Sequence, residues 1–188
     1  RPMLDLRTLE FREFLRLSIP RAVAQPIEAV TFLFFTRVAS EMAAGSVSAV
    51  SFARNFQSVP VSLIGIAFSV AAFPVLSQVA ASGDRGRFGR LVRDDVVLIG
   101  GLSALAGLAL ALVSGVAIRV LLGGEAFDEE DVAMTSTLLV AFALSVPLES
   151  LTHVLARSIY ATRHTVLPVI ASVVGLAVIV ITLEALRG

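Results

Sequence analysis

The chain has 188 residues, a formal net charge of zero, no cysteine and a mean hydropathy of +0.89. Zero net charge leaves no electrostatic footprint for a nucleic-acid partner. The lack of cysteine excludes a disulfide framework, a thiolate nucleophile and cysteine metal ligands. Only 16% of residues are charged and 56% are hydrophobic, whereas a soluble domain carries about a quarter charged residues. That surplus of apolar side chains calls for a bilayer as solvent.

The predicted elements begin with residues 1–18. In "DLRTLEFREFLRLS" Leu6, Leu9, Phe14 and Leu17 share one side of a helix, while Arg7, Glu10, Arg12 and Arg16 take the other. A basic amphipathic helix of this kind lies in the membrane interface; a site for a lipid head group is the alternative. No initiator Met and no signal-peptide pattern stand at the start, and the chain is expected to be a fragment.

Five apolar segments follow, over about 19–39, 47–80, 96–122, 132–160 and 165–186. A helix needs about 20 such residues to cross the hydrocarbon core, and the longer segments call for tilt or an extension beyond the lipid. Helices are required because lipid satisfies no backbone polar group, and none of the runs alternates as a barrel strand would. The predicted fold is therefore all-α: a polytopic transmembrane helical bundle of about five spans in a single membrane domain.

The breaks between spans set the orientation. Arg1, Arg7, Arg12 and Arg16 precede the first span; Arg85, Arg87, Arg90 and Arg93 lie in the 82–95 break; Arg157 and Arg163 flank the last. The breaks between these carry "SEMAAGS" and the acidic "GGEAFDEED". By the positive-inside rule the basic breaks are cytoplasmic and the acidic one external. The acidic spacing is not an EF-hand loop; "FDEEDVAM" reads instead as a helix start, with carboxylates where the dipole favours them.

Polar residues within the spans are costly there and face a cavity or one another. Arg21, Gln25 and Glu28 recur at helical spacing on the first span, with Thr36 near the same face. On the second, Ser51, Arg54, Ser58, Ser62, Gly65 and Ser69 form a stripe that reads either as a cavity wall or as a helix–helix seam; Asn55 and Gln57 flank Arg54. On the fourth, Glu149, His153 and Arg157 are each four apart. They make either a structural stripe with Arg157 snorkelling, or a proton relay through His153. No P-loop, GxSxG or paired zinc histidines are present, so neither an enzyme, a cofactor nor a metal is expected.

Residues 45–84, "GSVSAVSFARNFQSVPVSLIGIAFSVAAFPVLSQVAASGD", resemble the signature region of the MurJ/MviN family. The likeness rests on the Gly-Ser-Val-Ser entry, the polar cluster before Pro60, the Gly65-x-Ala67 step, Phe73-Pro74-x-Leu76-Ser77 and the closing Gly83-Asp84. "GGEAFDEEDVAMTSTLL", "LARSIYATRHTVLPV" and Pro20-Arg21 resemble further family segments. Such proteins flip lipid-linked peptidoglycan precursor across the bacterial inner membrane, within a superfamily that includes MATE drug exporters. The resemblance implies helices seven to eleven of about fourteen, the opening of a second lobe whose first lobe is missing here. It implies alternating access, a lipid-linked pyrophosphate substrate (lipid II) and membrane lipids as partners, and no nucleic acid. Arg54, Asn55, Arg21, Gln25 and Glu28 are the substrate-binding candidates, because a guanidinium suits pyrophosphate. Many members carry Asp-Arg before the proline. Here Arg54-Asn55 places the cation one position earlier, about 100° around a helix. The usual acidic residue near His164 is also absent. The alternatives are a MATE-like exporter of small cations, using Glu28 and Glu149, and a membrane scaffold whose polar stripes are packing seams.

Overall fold

The computed structural model describes residues 9–124 and 127–185. They form α1 (Leu9–Ser40), α2 (Ser46–Pro60), a π-helical segment (Val61–Ile66), α3 (Ala67–Ser82), α4 (Arg85–Leu122), α5 (Glu129–Ala161) and α6 (Val166–Ala185). Among the described residues the only β-type pairing is an isolated bridge between Gly124 and Phe127 at the turn before α5. The five predicted apolar segments thus appear as helices in the predicted order. The second is a composite of α2, the π segment and α3.

Among the described residues four helices are long and apolar enough to cross a membrane: Ser46–Ser82, Arg85–Leu122, Glu129–Ala161 and Val166–Ala185. In α1 the described side chains give an apolar stretch over Ala29–Ser40. Residues 1–8 lie outside the described residues, as do the side chains of Glu10, Arg12, Phe14, Arg16 and Leu17. From Leu9 onward the backbone runs without a break into the first predicted span.

The chain divides into two compact units. One holds residues up to Phe35 together with those from Arg163 onward; the other is Thr36–Thr162. In the first, α6 is a short apolar helix in which Ser172 Oγ donates to the Pro168 carbonyl at 2.9 Å. In the second, α5 is the central element and packs against α4, α2, the π segment and α3.

This larger unit is greasier outside than inside. Leu112 and Val120 on α4 are 77% and 74% exposed, whereas Ser103, Gly107 and Ser114 of the same helix are buried. Ala49, Ala53, Ser69, Ala143, Ser150 and Ser158 share the interior with Leu76, Ile99, Ile118 and Leu139. In water such a distribution is unfavourable, because the hydrophobic effect buries large apolar groups first. In lipid, small residues let helices approach closely while large ones face the acyl chains. A compact apolar cluster of Ala53, Ile118, Val132 and Leu139, with Phe56 and Phe127 against it, ties α2, α4 and α5 together at one end.

The 82–95 stretch, read from sequence as a polar break, is helical from Arg85. The break is only Gly83 and Asp84. Gly83 takes φ 76°, a left-handed conformation open to glycine, and ends α3. Asp84 then caps α4, its carboxylate accepting from the Arg87 N–H at 2.9 Å. Its 38 residues make α4 about 57 Å long, well beyond a hydrocarbon core of about 30 Å. The arginine-rich first turns are therefore an extension of the spanning helix. The acidic start of α5 takes the form expected: Asp128 accepts from the Glu130 and Asp131 N–H groups at 2.9 and 3.0 Å.

Two prolines shape the inner helices. Pro60 offers no N–H, and the π segment begins at the next residue, closing with the Ala67 N–H donating to the Ser62 carbonyl five residues back. Pro147 lies within α5 and leaves the Ala143 carbonyl without its helical donor. Gly107 of α4 backs against that same carbonyl: a Cβ at 107 would lie 2.6 Å from the Ala143 oxygen.

Candidate functional site

The polar residues singled out in the sequence separate onto two faces of α2. At 100° per residue, Ala49, Ala53 and Gln57 lie within about 80° of one another. All three are buried, and α2 packs on α5. To one side lie Ser51, Arg54, Asn55 and Ser58. Asn55 and Ser58 are exposed, and Ser51 and Arg54 half-buried. To the other side lie Phe52 and Phe56; Phe52 meets Phe127 edge-on with ring centroids 5.9 Å apart. Helix α2 therefore has a seam, a polar face headed by Arg54, and an aromatic edge.

The predicted stripe running from Arg54 through Ser58 and Ser62 to Gly65 and Ser69 is corrected by this arrangement. Ser58 and Ser62 are exposed, whereas Gly65 and Ser69 are buried against α5. The seam instead follows strict four-residue spacing: Ala49, Ala53, Gln57, Val61, Gly65 and Ser69. In a straight α-helix each such step drifts by about 40°, so Ser69 would sit about 120° away from Gln57. The wider turn of the π segment absorbs the drift and keeps both ends of the seam on α5. Reading the span at uniform α-helical pitch conceals this; the run of small residues every fourth position is the signal that reveals it.

Gln57, taken from sequence as a donor flanking Arg54, faces the seam and is 1% exposed. Its Nε2 donates to Glu149 Oε2 at 2.5 Å and to Ser145 Oγ at 3.3 Å. Ser145 Oγ in turn donates to the Phe142 carbonyl at 2.7 Å, so the network closes without an orphaned donor. Two turns further along α5, Arg157 Nη1 donates to Ser69 Oγ at 2.7 Å, and Ser69 donates to the Gly65 carbonyl at 2.6 Å. His153 lies between these two clasps and is half-buried.

At the middle of the seam Gly65 meets Ser150. A Cβ on Gly65 would stand 2.7 Å from Ser150 Cα and 2.8 Å from its Oγ. The Ser150 hydroxyl is buried and has no hydrogen-bond partner among the described residues. The helices touch backbone to backbone here, which only glycine permits.

The backbone at Arg21, Gln25 and Glu28 belongs to α1, but their side chains lie outside the described residues. Glu149, His153 and Arg157 share the α5 face that meets the seam; Asn55 is turned away from it. Among the described residues no group of three or more His, Asp or Glu side chains is placed to hold a metal ion. Ser69, which the sequence placed in a stripe, joins the polar seam, and Ser145 and Ser150 complete it; the latter two escape sequence reading, because serines in spans are usually packing residues.

The family model for "Lipid II flippase MurJ" matches residues 1–186. The chain belongs to the MurJ family. Similar relatives include the probable lipid II flippase MurJ of Bdellovibrio bacteriovorus, 29% identical over 92% of this chain and 33% of the relative. That of Thermotoga maritima is 27% identical over 94% of this chain and 36% of its own. A solved structure of lipid II flippase MurJ in an inward closed conformation superposes with a TM-score of 0.72 at 25% identity. It covers 88% of this chain and 35% of that one. The chain thus spans about a third of the length of its MurJ relatives, and its multi-pass helical fold is theirs.

Proposed function

We propose that this chain is one part of a MurJ-type flippase that moves a lipid-linked peptidoglycan precursor, lipid II, across the bacterial inner membrane by alternating access. It works together with a first lobe that lies outside this sequence. No covalent bond is made or broken in such a step. The protein supplies a polar path for the head group and lets the polyprenyl tail stay in lipid. In this orientation the basic start of α4 is cytoplasmic and the acidic start of α5 external.

The observation that carries the reading is the polar face of α2 and of the first turn of the π segment. An arginine, an asparagine and three serines, Ser51, Ser58 and Ser62, occupy positions turned off the helix seam in a unit otherwise coated with large apolar side chains. Ser51 and Ser58 donate to the Val47 and Asn55 carbonyls at 2.8 and 2.7 Å, so the cost of a lipid-facing strip falls on the Asn55 amide and on Arg54, about 3 kcal/mol for the latter on insertion scales. Arg54 is the group suited to a pyrophosphate, because its planar fork makes paired charge-assisted hydrogen bonds. Glu149 is engaged by Gln57 in the seam, which counts against a cation-exporting role for it.

The test is complementation by the full-length protein in a strain depleted of its own flippase. Arg54→Ala is expected to abolish growth at normal membrane levels, and Arg54→Lys to retain part of it. Arg37→Ala is the control: its pairing with Glu41 is 3.9 Å long and both side chains are largely exposed. Equal growth with Arg54→Ala and Arg37→Ala would refute the role of Arg54.

A further inference from the structure

We infer that Gln57 is a positioning residue: its buried amide, bound to Glu149 and Ser145 of α5, sets the rotation of α2 and so holds Arg54 and Asn55 on the face that receives the head group. The inference rests on the proposed role of Arg54 and goes beyond it, to what aims that side chain.

The argument starts from the poverty of the α2 seam. Ser46, Ala49, Ala53 and Gln57 are its buried members before Pro60; Ser46 meets Met134 Sδ of α5 at 3.8 Å in the first turn, and the two alanines that follow provide little to resist rolling. Methyl groups pack almost equally well over a range of helix rotations, whereas a hydrogen bond is directional and fails within a few tens of degrees. Gln57 is the one long polar side chain in this seam, and both of its known acceptors lie on α5, at Ser145 and Glu149, one turn apart. Two acceptors on one helix fix a planar amide in both height and angle. One of them is a carboxylate, which makes the bond charge-assisted and stronger than an amide–hydroxyl contact.

Arg54 sits one turn before Gln57 and about 60° around the helix from it. It is half-buried, at the border between seam and polar face. Small rotations therefore matter most at this position. A roll toward α5 buries the guanidinium in the seam, and a roll away shifts it along the polar face, off the line that the present rotation gives it. Asn55, about 160° from Gln57, swings through the same angle on the far side. The π segment isolates this half of the helix from the other. Beyond it the Arg157–Ser69 bond holds α3; α2 itself rests on Phe52, Phe56 and the Ser46–Met134 contact, and Gln57 supplies its hydrogen bonds to a carboxylate and a hydroxyl of α5.

The experiment uses the full-length protein with cysteines elsewhere replaced. One reporter cysteine is placed at Asn55 and, separately, at Ala49. Two readings are taken: the maleimide labelling rate at the reporter, and the affinity of the reporter-free protein for undecaprenyl pyrophosphate in detergent. With Gln57→Leu the labelling rates at 55 and 49 are expected to change in opposite directions. The affinity is expected to fall about tenfold, the scale of one lost charge-assisted hydrogen bond. Gln57→Glu, which sets two carboxylates together, is expected to do the same. The exchange Gln57→Glu with Glu149→Gln restores an amide–carboxylate pair and is expected to return both readings to wild type. It also serves if Gln57→Leu fails to reach the membrane. A merely structural role would lower protein yield and leave the labelling ratio of folded protein unchanged; an unchanged ratio, or an exchange no better than Gln57→Glu alone, overturns the inference. The affinity of Arg54→Ala is measured alongside. If it binds as wild type does, the reading of Arg54 fails, while the labelling ratio still decides whether Gln57 sets the rotation.

Discussion

Replacing Gly65 by alanine adds one methyl group at the tightest point of the α5 seam. Helix propensity favours the change by up to about 1 kcal/mol. Packing opposes it. The new Cβ would lie 2.7 Å from Ser150 Cα, 2.8 Å from its Oγ and 2.9 Å from its Cβ, and ordinary contact begins near 3.4 Å. Clearing Cα alone requires about 0.7 Å of separation between the π segment and α5. A hydroxyl can rotate away, but Cα and Cβ move only with the helix, and close-packed interiors yield little. Overpacking of this kind costs about 1–3 kcal/mol, and backbone involvement puts Gly65→Ala at the upper end, so packing wins over propensity. Thermal unfolding of the full-length protein in detergent is the assay, with an expected fall in midpoint on the order of 5 °C. Gly101→Ala is the internal control, since nothing stands within 4 Å of a Cβ there; it is expected to be neutral or slightly stabilising. Adding Ser150→Gly to Gly65→Ala removes the clashes with Oγ and Cβ but not with Cα, so it should recover only part of the loss. A Gly65→Ala protein as stable as Gly101→Ala would refute the close contact.

Two further outcomes are expected. Arg157→Ala removes the donor to Ser69 and should lower the amount of folded protein in the membrane, whereas His153→Gln should leave complementation nearly intact; loss of function in His153→Gln at normal protein levels would point to a proton relay instead. Single cysteines at Gly124 and Gly86, treated in intact cells with an impermeant maleimide, should label at 124 and stay unlabelled at 86, and the reverse pattern would overturn the proposed orientation.

The membrane-spanning helical character of this chain was legible in its sequence because it depends on composition over windows of about 20 residues, an additive quantity that needs no partner. The same holds for the acidic start of α5, where the controlling contacts are local. Even locally the reading has a limit: the arginines of residues 85–93 look like a loop by polarity, yet they continue a helix that Asp84 starts. The separation of Gln57 from Arg54, and of Gly65 and Ser69 from Ser58 and Ser62, was decided by tertiary structure alone. In lipid both the seam and a cavity wall draw on small and polar residues, so composition does not distinguish them. Which residue faces which way depends on cumulative helix rotation, and a single π turn after Pro60 resets that angle for everything beyond it. Glu149 and Arg157 meet their partners 92 and 88 positions away, and no local pattern encodes a bond at that range.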